Sequence, residues 1–234
     1  MRLIHIVVQN IKFQFRHGFY LVYLVISLSY LAILKILSEE FARKAFVLLI
    51  FSDISILGLF FVGAIVFLER DQGIMQTLFV TPLRVSEYIY AQVLSLSTIS
   101  LIMGLFIGLL RFGLSINLFP FLFAILAASV LATLTGIAIA VKQRKVTSYF
   151  VVVTIILLPF FFPVLNYLQI TNIPFLQLMP TDPVITLLEG TFSSLSSGNI
   201  IMAISVIIVW SIAITIWTLR RFDRYIIRKV GEIQ

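Results

Sequence analysis

Six apolar runs of 18 or more residues constrain the fold of this chain more than any other feature of its sequence. They cover residues 19–36, 45–68, 88–110, 118–141, 146–168 and 200–219. Runs of this length are typical of helices that cross a lipid bilayer. Charged residues make up 12% of the chain, well below the share of ~25% in soluble domains. We therefore predict an all-α, polytopic membrane protein with six transmembrane helices, which form a single domain over residues 1–234.

The basic residues predict how the chain is oriented. If the N-terminus is cytoplasmic, thirteen Lys and Arg residues lie in cytoplasmic segments and four lie outside. Basic loops stay in the cytoplasm, so this split favours two cytoplasmic termini. An even number of spans agrees, because it places both termini on the same side. Topology thus explains the net charge of +7, and we expect contact with membrane lipid but not with nucleic acid.

The residues before the first run predict a helix of their own. Apolar residues recur there at helical spacing, with basic residues beside them: Ile4, Val7, Val8, Ile11 and Phe15. A helix with this pattern lies in the membrane interface, and we predict such an interfacial helix over residues 1–18. The alternative is a plain helical extension of the first transmembrane helix.

The connection between the second and third runs, residues 69–87, is the most informative segment for function. It is a short amphipathic stretch whose charges hydrocarbon would exclude, and it is too short to be a domain. We predict that it lies at the cytoplasmic face and touches a soluble partner. We expect eight residues of this segment to couple it to the partner: Glu69, Arg70, Asp71, Gln72, Gly73, Gln76, Leu78 and Pro82.

Small residues recur on one face of the fourth run. Ala124, Ala128, Ala132, Gly136 and Ala140 are spaced four residues apart. Small side chains let helix backbones approach closely inside a bilayer. We predict that this stripe seats another helix of the same chain.

Prolines shape the end of the fifth run and the segment after it. Pro159 and Pro163 each remove a backbone donor, so we expect the fifth helix to bend or end early, and we regard both as gate candidates. The segment 169–199 has no basic residue and is expected to lie outside. Within it, Asp182 and Pro183 predict a helix over 183–192, with Asp182 as its N-cap. Ten residues span only ~15 Å, so this helix would lie on the outer surface or enter the membrane and return.

Asp53 is the one carboxylate clearly inside an apolar run. An aspartate at mid-membrane costs roughly 2.5–3.5 kcal/mol on translocon scales. One interpretation is a polar point on a substrate pathway or a gate. The alternative is an outer-leaflet residue that reaches the headgroups or pairs with Lys35 or Arg111.

The sequence contains no motif for nucleotide or metal chemistry. It has no GxxxxGK[ST] phosphate loop, no GxGxxG loop, no HExxH pair and no cysteine. Both histidines precede the first run, and the runs hold no pair of aspartates. We therefore expect no enzymatic activity, no cofactor and no metal on this chain.

Two stretches of the sequence resemble a known family. ERDQGIMQTLFVTPLRVSEYIYAQ, residues 69–92, resembles the cytoplasmic loop of ABC-2-type transporter permeases. MPTDPVITLLEG, residues 179–190, is similar to the proline-containing extracellular segment of the same family. The number and order of the spans and the chain length also fit, so the resemblance covers essentially the whole chain.

The resemblance implies the type V ABC exporter fold, with a cytoplasmic coupling helix near residues 69–80 and short extracellular re-entrant helices. It implies a permease in a prokaryotic plasma membrane that works with a separate ABC ATPase subunit, which holds the ATP and Mg, and with a second permease, identical or related. Glu69 to Gln72 would contact the ATPase. The substrate would be a hydrophobic drug, a lipid or a lipid-linked molecule. A haem-exporter-like permease of cytochrome c maturation and a non-transport membrane scaffold remain open alternatives.

Overall fold

The computed structural model describes residues 2–74 and 84–227, and every regular element in these residues is a helix. The α-helices are α1 (Arg2–Arg16), α2 (Phe19–Ile36), α3 (Glu39–Ser52), α4 (Gly58–Asp71), α5 (Val85–Phe112), α6 (Leu118–Ala140), α7 (Val146–Phe160), α8 (Phe162–Tyr167), α9 (Asp182–Glu189) and α10 (Ser197–Phe222). Three of the predicted coupling residues, Gln76, Leu78 and Pro82, lie outside the described residues.

Six helical stretches are long and apolar enough to cross a membrane, which confirms the predicted number within the described residues. A π-helical segment, Asp53–Leu57, joins α3 to α4, so that the second span is one long helix, Glu39–Asp71. The others are Phe19–Ile36, Val85–Ser115, Leu118–Ala140, Val146–Tyr167 and Ser197–Tyr225. We call the end of the bundle where α4 ends and α5 begins the loop end, and the opposite end, which holds α9, the distal end.

The N-terminal residues form a separate helix and not an extension of the first span. Gly18, between α1 and α2, has φ +78°, a left-handed conformation that interrupts a right-handed helix and that glycine adopts without strain. α1 packs along α5 and leaves Ile4, Val8 and Phe15 exposed. An exposed apolar edge fits a helix in the membrane interface, and that position stays a prediction.

The fourth span, α6, is the centre of the bundle. In its most apolar stretch 78% of the residues are buried, against 17% in the corresponding stretches of the fifth and sixth spans. The predicted small-residue stripe faces α4, and a Cβ placed on Gly58 of α4 would lie 3.3 Å from the Cβ of Ala132. The prediction that the stripe seats another helix of the chain is therefore confirmed.

The prolines break the fifth span as predicted. α7 ends at Phe160 and α8 begins at Phe162, so the break lies between Pro159 and Pro163. The distal helix α9 differs from the predicted helix 183–192 at both ends: it runs over Asp182–Glu189, with Thr181 in the N-cap position. Asp182 is therefore not the N-cap, because its own backbone is already helical. The re-entrant course expected for this segment stays a prediction.

Candidate functional site

Glu69, in the last turn of α4, is buried at the loop end of the bundle. Its side chain lies against α5, where the Tyr88 hydroxyl donates to Oε2 at 2.5 Å and Gln92 Nε2 donates to Oε1 at 2.9 Å. Only 4% of Glu69 is exposed. A buried carboxylate is tolerable when both of its oxygens accept hydrogen bonds, and this pair of bonds joins the second span to the third.

The hydrogen-bonded group extends along α5 to the N-terminal helix. Tyr88, Gln92 and Ser95 are spaced at i, i+4 and i+7, which places them on one helix face. The Ser95 hydroxyl donates to the Gln92 carbonyl at 3.0 Å and accepts from Gln14 Nε2 at 2.8 Å. We call Gln14, Glu69, Tyr88, Gln92 and Ser95 the basal network. It connects α1 with α4 and α5, the two helices on either side of the loop end.

Arg70 joins the same end of α4 to the end of α6. Its Nη1 donates to the Gln143 carbonyl at 2.6 Å and its Nη2 to the Ala140 carbonyl at 3.4 Å. The last carbonyls of a helix carry a partial negative charge, so a guanidinium there satisfies them and is itself stabilised. Arg221 of α10 makes a comparable bond from Nη1 to the Ala138 carbonyl at 3.2 Å.

Two of the four polar residues predicted to meet a partner protein are turned inward. Glu69 is enclosed by its bonds to α5, and Arg70 is half-buried against α6. The expectation that Glu69 makes direct contact with a partner therefore disagrees with the structure, because its two oxygens are already occupied inside the bundle. Asp71 and Gln72 are exposed at the end of α4. Gly73 follows with φ +69°, a left-handed backbone conformation that does not continue the helix.

The two parts of the predicted pathway lie on different spans, Asp53 in the middle of the second span and the proline break in the fifth. Asp53 is 4% exposed and does not reach the surface, and the described residues place no basic side chain within ion-pair distance of it. Arg111, its predicted alternative partner, donates instead to the Leu34 carbonyl at 2.9 Å. Phe51 of α3 packs against Phe161, at the proline break, with ring centroids 5.4 Å apart.

A cavity of about 40 Å³ lies beside that aromatic contact. It is lined by both rings and by the hydroxyls of Ser55 and Thr181. This volume has room for about one water molecule, whose share of the liquid is roughly 30 Å³. Phe51 and Ser55, two residues before and after Asp53, thus meet the proline break, but Asp53 itself does not line this cavity. The role of Asp53, Pro159 and Pro163 as a gate stays a prediction.

Four members of the basal network were not predicted from the sequence, namely Gln14, Tyr88, Gln92 and Ser95. The missed pattern was a polar residue in every turn on one face of an otherwise apolar transmembrane helix. Polar residues inside a membrane bundle commonly bond across helices, so this spacing could have located the network on α5. It could not have named Glu69 as the residue that α5 binds.

Comparisons with a family model and with known proteins identify the same family. The model of the fluoroquinolones export permease protein family matches residues 1–230. The chain is also similar to two proteins named fluoroquinolones export permease protein, from Mycobacterium tuberculosis strains CDC 1551/Oshkosh and ATCC 25618/H37Rv. Each is 30% identical over 187 residues, which is 77% of this chain and 78% of the relative. The chain therefore belongs to the fluoroquinolones export permease protein family, and its resemblance to ABC-2-type permeases is confirmed.

Proposed function

We propose that this export permease is driven by a separate ABC ATPase subunit that pushes on residues 69–87 from the cytoplasm. The observation that carries the proposal is the bonding of Glu69 to Tyr88 and Gln92. These bonds tie the first residue of the segment to the helix that follows it. A displacement of the segment would therefore move the second and third spans together, and Arg70 would pass it to the fourth.

Asp71 and Gln72 are the polar residues that remain for the ATPase. Both are exposed at the loop end, where α4 stops. Because the inward-facing Glu69 and Arg70 hold the helix in place, the exposed pair would receive force on a rigid support. ATP and Mg would bind the partner subunit, and the permease would contribute no covalent step.

Placing positive charge at Asp71 and Gln72 should separate the permease from the ATPase subunit. We expect the double variant Asp71→Lys, Gln72→Lys to lower the amount of ATPase that co-purifies with the permease by at least ~10-fold, since misplaced charge at an interface costs several kcal/mol. The ATPase is identified by mass spectrometry as the ABC protein that co-purifies with the unmodified permease from native membranes. Size-exclusion chromatography of the variant in detergent would establish that it is folded.

The matched control is the double variant Glu39→Lys, Glu40→Lys. These carboxylates are exposed at the distal end, where they pair with Arg43 and Lys44 at 3.6 Å. Such exposed pairs contribute little to stability, ~0–1 kcal/mol. The control should retain the ATPase, and normal retention by the Asp71, Gln72 variant would disprove the proposed contact.

We further propose that both termini and the loop end face the cytoplasm. Arg70, Arg84, Arg144 and Arg221 all lie at the loop end or in segments that join it, which supports this orientation through the positive-inside rule. The distal segment 169–199 would then be extracellular and would hold the exit of the transport path.

The absence of cysteine makes this orientation directly measurable. Single variants Gln72→Cys and Ser194→Cys place a thiol at exposed positions of the two ends. In spheroplasts, a membrane-impermeant maleimide should label Ser194→Cys at once and Gln72→Cys only after permeabilisation. The reverse pattern would overturn the orientation and, with it, the cytoplasmic lever.

An aromatic drug is the substrate class that we propose. The relatives' names support a drug over a haem-exporter-like role or a scaffold without transport. Asp53, Pro159 and Pro163 are the proposed gate residues, and the aromatic contact between Phe51 and Phe161 supports a link between the second and fifth spans at this point. We also propose a second permease copy in the working exporter, on the basis of the family resemblance, packed on the little-buried fifth span.

A further inference from the structure

A cleft of about 710 Å³ lies at the distal end of the bundle. It lies between the end of α8, the loop that follows, α9 and α10. Ligand-binding clefts in proteins commonly measure about 300–1,000 Å³, so the space suits a drug-sized molecule. It is separate from the basal network and from the small cavity beside Phe161.

The walls of this cleft are fixed by hydrogen bonds within the distal segment. The Asn166 side chain donates to the Ile173 carbonyl at 3.0 Å and accepts from the Ile173 amide at 3.2 Å and from the Thr171 hydroxyl at 2.8 Å. Trp210 Nε1 of α10 donates to the Leu178 carbonyl at 2.9 Å. These bonds hold the loop in one shape, so the cleft is preformed and a ligand would not have to order it.

α9 presents a polar face to the cleft and an apolar face to the bundle. Val184, Leu187 and Leu188 are buried, while Asp182, Thr186 and Glu189, at i, i+4 and i+7, line the cleft. The apolar face packs on α3, α6 and α10, which fixes the rotation of the helix. Both carboxylates are therefore held on the cleft side by the packing of the opposite face.

The charge of the cleft is uniformly negative. Its described lining includes two carboxylates and no Lys, Arg or His, and the amides and hydroxyls around them are neutral. Tyr167, at the end of α8, and Met202, on α10, supply an aromatic ring and a thioether. A negatively charged cleft with aromatic and soft apolar surface attracts organic cations, through both Coulomb and cation–π interactions.

We propose that the distal cleft binds the cationic amine of an aromatic molecule, with Asp182 and Glu189 as its counter-charges and Tyr167 against its ring system. The inference deepens the proposed export function, on which the description of the occupant as transported cargo rests. In an exporter of the proposed orientation, the cleft would be an extracellular binding site, because it opens at the distal end. The 40 Å³ cavity on the other side of α9 is too small for a drug.

The test is equilibrium binding to the permease alone, in nanodiscs of phosphatidylcholine. Ethidium, an aromatic cation whose fluorescence rises on leaving water, is the probe, and the neutral N-phenyl-1-naphthylamine is its uncharged counterpart. We expect Asp182→Asn, Glu189→Gln to weaken ethidium binding about tenfold, since two counter-charges are lost, and to leave the neutral probe within about twofold. Thr186→Lys, which adds a cation to an intact wall, should abolish ethidium binding.

Acidity should weaken binding through Asp182. Burial raises the pKa of Asp182 to about 6, so this carboxyl is charged at pH 7.5 and is neutral at pH 5. The titratable groups that face it in the cleft are Glu189 on α9 and Tyr167 on α8, while α10 contributes Asn199 and Met202, which do not titrate. Ethidium affinity should fall as the pH drops through 6, and Asp182→Asn should flatten that part of the profile.

Glu39→Gln, Glu40→Gln is the matched control, because it removes two carboxylates from the same end of the bundle outside the cleft. It should bind ethidium as the unmodified chain does. Equal weakening in the control, or unchanged binding in both cleft variants, would overturn the cation site. Neither result bears on the ATPase, since no partner is present, so failure here and failure of the proposed coupling are separate outcomes.

Discussion

Replacing Gly136 with leucine should eliminate the folded permease. A Cβ at this position would lie 2.2 Å from Val62 Cγ1, 3.2 Å from the Tyr149 hydroxyl and 3.3 Å from the Leu59 carbonyl oxygen. The Tyr149 hydroxyl and the Leu59 carbonyl oxygen cannot easily move away from an added side chain, because the hydroxyl donates to that carbonyl at 2.5 Å. Overpacking by one or a few methylenes costs ~1–3 kcal/mol, and four added carbons against a backbone atom should exceed that range.

The expected loss is large because it separates the central helix from the second span. A total stability of ~5–15 kcal/mol leaves little margin for such a change. Fluorescence-detected size-exclusion chromatography should show an aggregated Gly136→Leu variant, and Gly136→Ala should be monodisperse with a lowered Tm. The control is Gly198→Leu, whose Cβ would meet only the Ser196 hydroxyl, at 3.6 Å. An unchanged Tm for Gly136→Leu would mean that α4 and α6 are not packed as described.

The spans could be predicted from the sequence because length and hydropathy decide them locally. The small-residue stripe on α6 was also predictable as a contact surface, since its four-residue spacing follows the helix. Its partner was not, because the choice of α4 depends on Gly58 meeting Ala132 and on Val62 meeting Gly136 in three dimensions. Residue spacing along one helix predicts which face makes a contact, but it does not predict which other helix packs against that face.

The inward orientation of the Glu69 side chain could not be predicted for a related reason. Periodicity assigns faces only while the helix keeps 3.6 residues per turn, and the π-helical segment Asp53–Leu57 interrupts that count in the middle of the second span. Each residue added to a helix rotates all later positions by about 100°. A charged cluster after such a segment appears solvent-exposed from the sequence, although its first member faces α5.

Replacing Glu69 with alanine should uncouple transport from ATP hydrolysis without releasing the ATPase. The substitution removes the acceptor of the Tyr88 hydroxyl and of Gln92 Nε2 in a buried site. Leaving buried polar groups without their partners costs ~1–3 kcal/mol each, so the second and third spans should lose their rigid connection at the loop end. Asp71 and Gln72 remain exposed and unchanged, and the ATPase contact proposed for them should survive.

The measurement is ethidium export by proteoliposomes that contain the permease and its ATPase. We expect transport by Glu69→Ala to fall at least ~10-fold, the equivalent of 1.4 kcal/mol, while co-purification of the ATPase stays within about twofold. Glu39→Ala is the matched control. The Glu39 carboxylate pairs with Arg43 at 3.6 Å within α3, and that pair does not join two helices. Its removal should cost at most about 1 kcal/mol and leave transport largely intact.

A double-mutant cycle would show whether Glu69 acts through α5. If the carboxylate works by holding Tyr88, then Tyr88→Phe should lower transport by itself and add little to Glu69→Ala, because the bond is already lost. Additive losses would mean that the two residues act separately, and equal losses of transport and of ATPase binding would mean that Glu69 supports the contact surface itself. Non-additive loss of transport with retained ATPase would place the coupling step in the buried bonds between the second and third spans.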